Sequence, residues 1–285
     1  MTMSVINTNV KSLVAQNAMT VNNRSLNKAM EQLSTGKRIN SAADDTAGLA
    51  ISSRMTSSIR GLDQAVRNAN DAISMIQTAE GATNEISNML QRMRELAVQG
   101  ANDTYSADDR EAIGKEYDEL VTEIDRIANN TEWNGIKILD GSVFSSGTAA
   151  EFQIGTGSGS AYQIDVNFLA MNTANLGTAD IAVADIDSTS TPTTIQTVIS
   201  EVDKGIKAVD SFRADLGAKI NRLTYAADNM SNISMNTSAS RSRIEDADYA
   251  SATTELARSQ IIQQAATAML AQANQAPQSV LSLLR

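Results

Sequence analysis

The sequence predicts a mainly α-helical protein, namely an elongated antiparallel helical bundle or coiled-coil rod with a small β-hairpin region and with paired N- and C-terminal helices. In two long stretches, 51–97 and 195–230, apolar residues recur mostly three or four positions apart, which is the spacing of a heptad seam. The chain has only two prolines, and Ala, Val, Ile, Leu and Met carry most of its hydrophobic share. Period-two alternation, which is typical of strands, is confined to short runs between 136 and 166.

The first seam predicts one long helix. At 1.5 Å per residue, about 50 residues make a rod of roughly 75 Å. Gly61 and Gly81 weaken this helix locally, so tertiary packing has to hold it straight. Gly100 provides a stop signal. The seam consists of Ile51, Met55, Ile59, Leu62, Val66, Ala69, Ile73, Ile76, Thr83, Leu90, Met93 and Ala97.

A second, shorter helix is predicted to start at Ser106, because Asp108 and Asp109 then lie in its first turn, and to end before Asn129. Beyond it, turn dipeptides such as Asn134-Gly135 separate alternating runs, which predicts a small hairpin or sheet. The glycine-rich segment 155–160 is interpreted as a hairpin loop and not as a phosphate-binding loop, because no lysine follows it. Residues 171–194 are expected to be the most exposed stretch.

Helical spacing returns after Pro192. A helix this long cannot bury its apolar stripe alone, so antiparallel packing of 195–233 on 51–97, with 106–128 alongside, is expected to give one elongated bundle. The second seam consists of Ile195, Ile199, Val202, Ile206, Val209, Phe212, Leu216, Ile220, Leu223, Ala227 and Met230.

The two ends carry weaker helical stripes, at 5–33 and 250–284, and are rich in Asn, Gln, Ser, Thr and Ala. Burial of so few large apolar side chains does not offset about 1 to 2 kcal/mol per ordered backbone residue. We therefore expect the ends to become ordered only against copies of themselves in an assembly. The predicted domains are a terminal helical domain of 1–45 and 240–285, a rod domain of 46–141 and 193–239, and a hairpin and variable-loop region of 142–192.

Several classes of function are excluded by composition. The chain contains no cysteine and no histidine, which excludes disulfides, thiolate nucleophiles, Ser-His-Asp triads and metal sites built on these ligands. Its net charge of −10 disfavours binding to nucleic acid or anionic lipid. No apolar run approaches the roughly 18 residues of a membrane span, and the start lacks the pattern of a cleaved signal. These features alone suggest a cytoplasmic protein.

The sequence resembles the bacterial flagellins in six ordered blocks that span nearly the whole chain except about 142–194. The blocks are Ile6-Asn7-Thr8-Asn9, the stretch 32–45 that reads QLSTGKRINSAADD, the stretch 90–99 that reads LQRMRELAVQ, Trp133-Asn134-Gly135, the stretch 240–249 that reads SRSRIEDADY, and the stretch 271–285 that ends in VLSLLR.

This resemblance implies a structural subunit of the extracellular flagellar filament, which polymerises with copies of itself. It also implies export of the unfolded chain through the filament channel, with a flagellar export chaperone and a filament cap as partners. A secreted location then replaces the cytoplasmic one. The short middle of the chain implies that the large outer domains of many flagellins are missing. No cofactor, metal, membrane or nucleic acid is expected.

Two sets of functional residues are expected, the first from the resemblance and the second from the residues themselves. One set matches the surface that a host innate immune receptor, toll-like receptor 5, recognises in some flagellins; it comprises Gln91, Arg92, Glu95, Leu96 and Glu123. The other set comprises expected subunit contacts, with a charge network at the junction of end helices and rod and with apolar residues in the tail; it comprises Arg241, Arg243, Glu245, Asp246, Asp248, Leu281 and Leu284.

Two alternatives remain at this point. The junction protein between hook and filament shares the terminal helices of flagellins, although the tail block 271–285 favours flagellin. A soluble coiled-coil scaffold that never polymerises would instead have ordered ends as a monomer. An enzyme is not expected, because no catalytic pattern that works without histidine is recognisable.

Overall fold

A computed structural model describes residues 9–142, 149–174, 176, 186–187 and 189–282, with backbone alone for 276–282. The mainly α-helical prediction is confirmed. Leu284 lies outside the described residues, as do Ile6, Asn7 and Thr8, and Leu281 is described only by its backbone. The described helices are α1 Val10–Thr35, α2 Thr46–Gly100, α3 Ala107–Asn130, α4 Pro192–Glu245 and α5 Tyr249–Ser282.

The chain forms two compact units. One unit contains Met1–Ile59 and Met235–Arg285 and therefore joins segments from both ends of the chain. The other unit is Arg60–Ser234. We refer to them as the terminal unit and the central unit.

The central unit contains a large apolar core between α2, α3 and α4. Residues of both predicted seams are buried in it, including Ile76, Leu90, Val209 and Leu223. The predicted antiparallel pairing is confirmed by two polar contacts between α2 and α4. Arg94 contacts Asp203 at 2.6 Å, and the Ser234 hydroxyl donates to Asp63 at 2.9 Å. Asp63, which comes earlier in α2, thus contacts Ser234, which comes later in α4. Arg94, which comes later in α2, contacts Asp203, which comes earlier in α4.

Helix α3 begins where the sequence places it. Ser106 is its N-cap, and its side chain accepts from the Asp109 backbone N–H while Asp109 accepts from the Ser106 backbone N–H. This reciprocal capping box satisfies two backbone donors that the first helical turn leaves free. The Ser106 hydroxyl also donates to Asp109 at 2.7 Å, and these bonds lower the pKa of the Asp109 carboxyl.

Two short antiparallel strand pairs complete the central unit. Strand β1 (Glu132–Trp133) pairs with β2 (Ile136–Lys137) across the predicted Asn134-Gly135 turn. Strand β3 (Ala150–Gln153) pairs with β4 (Gln163–Val166), and the glycine-rich segment 155–160 connects them, as predicted. The Gln153 side chain donates to the carbonyls of Gly155 and Gly157, both at 2.8 Å. These four strands form two separate two-stranded sheets in the part of the chain that the structure describes.

Two glycines inside helices are explained by close packing. A Cβ on Gly61 would lie 2.6 Å from the Thr156 side chain of the β3–β4 loop. A Cβ on Gly114 of α3 would lie 1.8 Å from the backbone oxygen of Ile186. The loop that leads to α4 therefore crosses α3 at Gly114, where only a residue without a side chain leaves enough space.

Candidate functional site

The interior of the helix pair α1–α5 in the terminal unit contains buried polar side chains. Ser12, Asn22 and Ser259 are buried between the two helices. The Asn22 amide donates to the Ser259 carbonyl at 2.8 Å, and the Ser12 hydroxyl donates to Asn274 at 3.0 Å. The two helices run antiparallel, because residues near the start of α1 meet residues near the end of α5.

Many large apolar side chains of α1 and α5 point outward, although Leu26 and Leu33 of α1 and Leu270 of α5 are half-buried. Among the described residues, nine of the sixteen exposed large hydrophobic side chains belong to these two helices. The buried hydrophobic residues described in the terminal unit are only Ala29, Ile39 and Ala252. The nine exposed residues are Val10, Leu13, Val14, Val21, Met30, Tyr249, Ile261, Ile262 and Met269.

An apolar groove lies on this surface. It has a volume of about 540 Å³, and its lining residues come from the first turns of α1 and the later turns of α5. Val14 is 64% exposed and Met269 is 65% exposed. A contiguous apolar surface of this kind is typical of a protein–protein contact. The lining residues are Val10, Lys11, Val14, Ala15, Met269, Gln272 and Ala273.

The connections α1–α2 and α4–α5 bind each other within the terminal unit. The Arg38 backbone N–H donates to the Glu245 carbonyl at 2.7 Å, and the Ala247 N–H donates to the Gly36 carbonyl at 2.9 Å. Lys37 and Asp246 form an isolated antiparallel bridge between them. Residues more than 200 positions apart in sequence are thus joined by backbone hydrogen bonds.

The charge network at this junction is centred on Glu245. Its carboxylate pairs with Lys37 and accepts a hydrogen bond from the Ser52 hydroxyl. These two partners lower the pKa of Glu245, and the charge of Arg241 adds to the effect. Among the predicted junction residues, Arg241 donates to the Thr56 hydroxyl at 3.1 Å and Arg243 donates to Ser240 at 3.0 Å.

The remaining acids at the junction accept local hydrogen bonds. Asp246 accepts from the Ser242 hydroxyl at 2.5 Å, and Asp248 accepts from the Ala250 N–H at 3.0 Å at the start of α5. Asp45 accepts from the Gly48 N–H at 2.8 Å at the start of α2. Asp45 and Asp248 therefore each accept a backbone hydrogen bond at the start of a helix.

The carboxyl group of Asp44 in the terminal unit has a strongly lowered pKa. It pairs with Lys28 of α1 at 2.8 Å and accepts from the backbone N–H groups of Asn40 and Ser41. The Lys28 hydrogen bond is the largest cause that lowers the pKa of Asp44 to about 2.

The predicted recognition residues lie on α2 and α3 of the central unit. Gln91, Arg92 and Glu95 are exposed. The Arg92 guanidinium contacts Glu116 of α3 at 2.8 Å and Glu95 at 3.1 Å, and these carboxylates raise its pKa. These contacts hold the Arg92 side chain over both helices.

The other two recognition residues have different surroundings. Glu123 forms a bidentate salt bridge with Arg126, with hydrogen bonds of 2.6 and 2.7 Å. This pairing lowers the pKa of Glu123. Leu96 is only 2% exposed and belongs to the apolar core. The surface in this region is therefore formed by the polar residues, while Leu96 supports it from inside.

The comparisons with known proteins agree with this architecture. The family model of the bacterial flagellin N-terminal helical region matches residues 6–143, and that of the C-terminal helical region matches residues 199–284. The chain belongs to the bacterial flagellin family. The resemblance recognised in the sequence is thus confirmed, and the two matches leave out the short middle of this family member.

Relatives of similar length share the whole chain. A flagellin from Halalkalibacterium halodurans is 46% identical over 284 residues, with 99% of this chain and 100% of the relative covered. The flagellar filament 33 kDa core protein of Treponema phagedenis is 43% identical over 288 residues, with 99% and 100% covered. These lengths confirm a short form without a large outer domain.

One solved structure supports the fold alone. A structure from Vibrio parahaemolyticus described as a flagellar hook-associated protein has a TM-score of 0.61 and 15% identity, and covers 71% of this chain and 100% of that one. No helix among the residues described in the structure combines the length and apolarity needed to cross a membrane.

Some features of the site were not recognised in the sequence. The stripes of the end segments were identified, but the polar interior between Asn22 and Ser259 was not. Lys37 was not identified as the partner of Glu245. A buried asparagine in a helix with outward apolar residues leaves only a weak signal, since Asn is common on exposed helix faces as well.

Proposed function

We propose that this flagellin-family chain is a structural subunit of an extracellular flagellar filament, and that α1 and α5 form its main assembly surface. The observation that carries this proposal is the exposed apolar surface of the helix pair, which holds nine large apolar side chains. The interior of the pair combines hydrogen-bonded Ser and Asn side chains with half-buried leucines and buries few large apolar residues. Burial of that surface against neighbouring copies would supply the free energy that the pair lacks alone.

The domain assignment belongs to the same proposal. Segments 1–45 and 240–285 form the filament-core domain, 46–141 and 193–239 form the rod domain, and 142–192 forms the hairpin and variable region. Of the tail residues proposed as subunit contacts, Leu281 and Leu284 continue the apolar character of α5. Polymerisation then couples ordering of the ends to burial. A contact of this kind that does not close on itself produces an open helical polymer.

Truncation tests this coupling. Chains that lack 1–40 or 246–285 are expected to keep the thermal unfolding transition of the central unit but to remain monomeric when mixed with filament seeds, as judged by negative-stain microscopy. Long fibres from either truncated chain would contradict the proposal.

A pair of substitutions tests the surface itself. Val14→Ser with Met269→Gln removes apolar area that is already exposed, so the monomer should unfold as before. Loss of about 2 to 3 kcal/mol of burial should raise the critical concentration for polymerisation about 30- to 150-fold. Gln16→Ser with Gln264→Ser is the matched control on the same helices, because these exposed positions are already polar. Equal effects of the two pairs would refute an apolar assembly surface.

Export of the unfolded chain and binding to an export chaperone and a filament cap are part of the proposal. The small apolar core of the terminal unit supports them, because ends with little buried area are easily kept unfolded. The relatives named flagellin at nearly full length favour a filament subunit over the hook–filament junction protein. They also favour it over a scaffold that does not polymerise.

Recognition by host toll-like receptor 5 is a second proposed role, at Gln91, Arg92, Glu95 and Glu123 with Leu96 beneath them. The observation that favours it is the Arg92 side chain, which is held by Glu95 and Glu116 at an exposed position between α2 and α3. An arginine fixed in place before binding loses less side-chain entropy in a complex. The same polar residues would also face neighbouring copies in a filament.

A further inference from the structure

Helix α5 contains a proline near its end. Pro277 lies inside the helical segment Tyr249–Ser282. Proline has no backbone N–H, so the carbonyl four residues earlier, that of Ala273, has no donor from the regular helical pattern. A half-buried carbonyl without a donor costs free energy comparable to a lost hydrogen bond.

The missing donor comes from the other end of the chain. The Asn9 side-chain amide donates to the Ala273 carbonyl at 2.8 Å. The oxygen of the same side chain accepts from the Ser12 backbone N–H at 3.2 Å and thereby caps the start of α1. One asparagine therefore satisfies a free donor of α1 and a free acceptor of α5.

The Asn9 amide performs the two tasks with separate atoms, since its NH₂ group donates and its oxygen accepts. Aspartate, serine and threonine also cap helices, but aspartate has no proton to donate and would place a negative charge against the carbonyl oxygen. Next to this contact, the Ser12 hydroxyl donates to Asn274 at 3.0 Å. Because Ala273 is the one carbonyl that Pro277 releases, this contact favours a single alignment of α1 along α5.

We infer that Asn9 and Pro277 act as a matched pair that sets the register of α1 on α5, and thereby positions the apolar groove at this end of the helix pair. In this alignment Val10 and Val14 of α1 line the groove together with Met269 of α5. A shift of α1 by one turn would move its side chains about 5.4 Å along α5. The inference rests on the proposed assembly function, since the groove is part of that surface.

The inference is tested with a double-mutant cycle in the full chain. Asn9→Asp keeps the cap and removes the donor, and Pro277→Ala gives residue 277 an N–H that can satisfy Ala273. Asn9→Asp is expected to raise the critical concentration for seeded polymerisation about tenfold in the natural chain and less than threefold in the Pro277→Ala chain. An Asn9→Asp effect of equal size in both chains would overturn the inference.

Asn22→Ala is the matched control. Asn22 also donates to a carbonyl of α5, that of Ser259, but residue 263 is a glutamine with its own N–H. The effect of Asn22→Ala should therefore be the same in the natural chain and in the Pro277→Ala chain. If its effect also falls in the Pro277→Ala chain, the proline acts on the whole helix and the inference fails.

Failure of the proposed function is distinguishable from failure of this inference. If the natural chain does not polymerise, the assembly proposal fails, and the cycle is then measured in the monomer as hydrogen-exchange protection of the α1 and α5 amides. Loss of protection with Asn9→Asp that is relieved by Pro277→Ala supports the pairing. Absence of protection, or loss that Pro277→Ala does not relieve, overturns it.

Discussion

Substitution of Gly114 by alanine is expected to destabilise the central unit, although alanine is the better helix former. The new Cβ would lie 1.8 Å from the backbone oxygen of Ile186, which is far inside the contact distance of about 3.5 Å. The loop must therefore move away from α3. Ile186 is 1% exposed, and loss of its burial costs about 1.5 to 3 kcal/mol.

The gain in helix propensity opposes this cost. Replacement of glycine by alanine inside a helix contributes about 1 kcal/mol, so the net destabilisation should be about 0.5 to 2 kcal/mol. Gly81 of α2 and Gly217 of α4 are the matched controls, because a Cβ on either one meets nothing within 4 Å. Gly81→Ala and Gly217→Ala should therefore stabilise the monomer by up to about 1 kcal/mol.

Urea unfolding of the monomer, followed by far-ultraviolet circular dichroism, measures all three variants. The midpoint should fall for Gly114→Ala and rise for the two controls, with an unchanged slope. If Gly114→Ala raises the midpoint as the controls do, the loop does not cross α3 at this position. The close-packing explanation of Gly114 would then be wrong.

Two further predictions concern charges. The folded-state pKa of Asp44 is lowered from 3.8 to about 2, so its contribution to the stability of the terminal unit is complete above pH 3.8 and is lost as the pH falls from about 4 to about 2. Asp44→Asn and Lys28→Met should therefore both reduce the loss of filament stability in that pH window. An unchanged pH dependence in both variants would contradict the pairing of Asp44 with Lys28. Arg92→Ala should weaken binding of the monomer to a toll-like receptor 5 ectodomain at least tenfold, as measured by surface plasmon resonance. Arg94→Ala is the control on the same helix, where Arg94 pairs with Asp203, and it should have little effect. Equal effects of the two substitutions would show that Arg92 does not contact the receptor.

The helices of the central unit were predictable because a buried stripe leaves a periodic signal. Ile76, Leu90, Val209 and Leu223 recur at helical spacing and are all buried. Ser106 and Asp109 marked the start of α3, since a capping box depends on residues three positions apart. Such signals are local in sequence and need no knowledge of the partner.

The long-range contacts were not predictable in the same way. Glu245 is near two arginines in sequence, but its carboxylate pairs with Lys37, more than 200 residues away. Leu96 is expected among the recognition residues of an exposed surface, yet it is buried. Which neighbour a side chain contacts depends on how segments that are distant in sequence pack together, and a single sequence contains little information about that packing.

The amino-acid sequence by itself determined the helical class of this protein, the existence of its long helices, the family to which it belongs and the absence of cysteine and histidine chemistry. These follow from residue types and from spacing along the chain. The tertiary structure decided which way the stripes of α1 and α5 face, which carbonyl Asn9 satisfies, and which glycine lies under the Ile186 backbone. The physical reason is that periodicity identifies a face of a helix, whereas only the packed partner determines whether that face points inward or toward the next molecule.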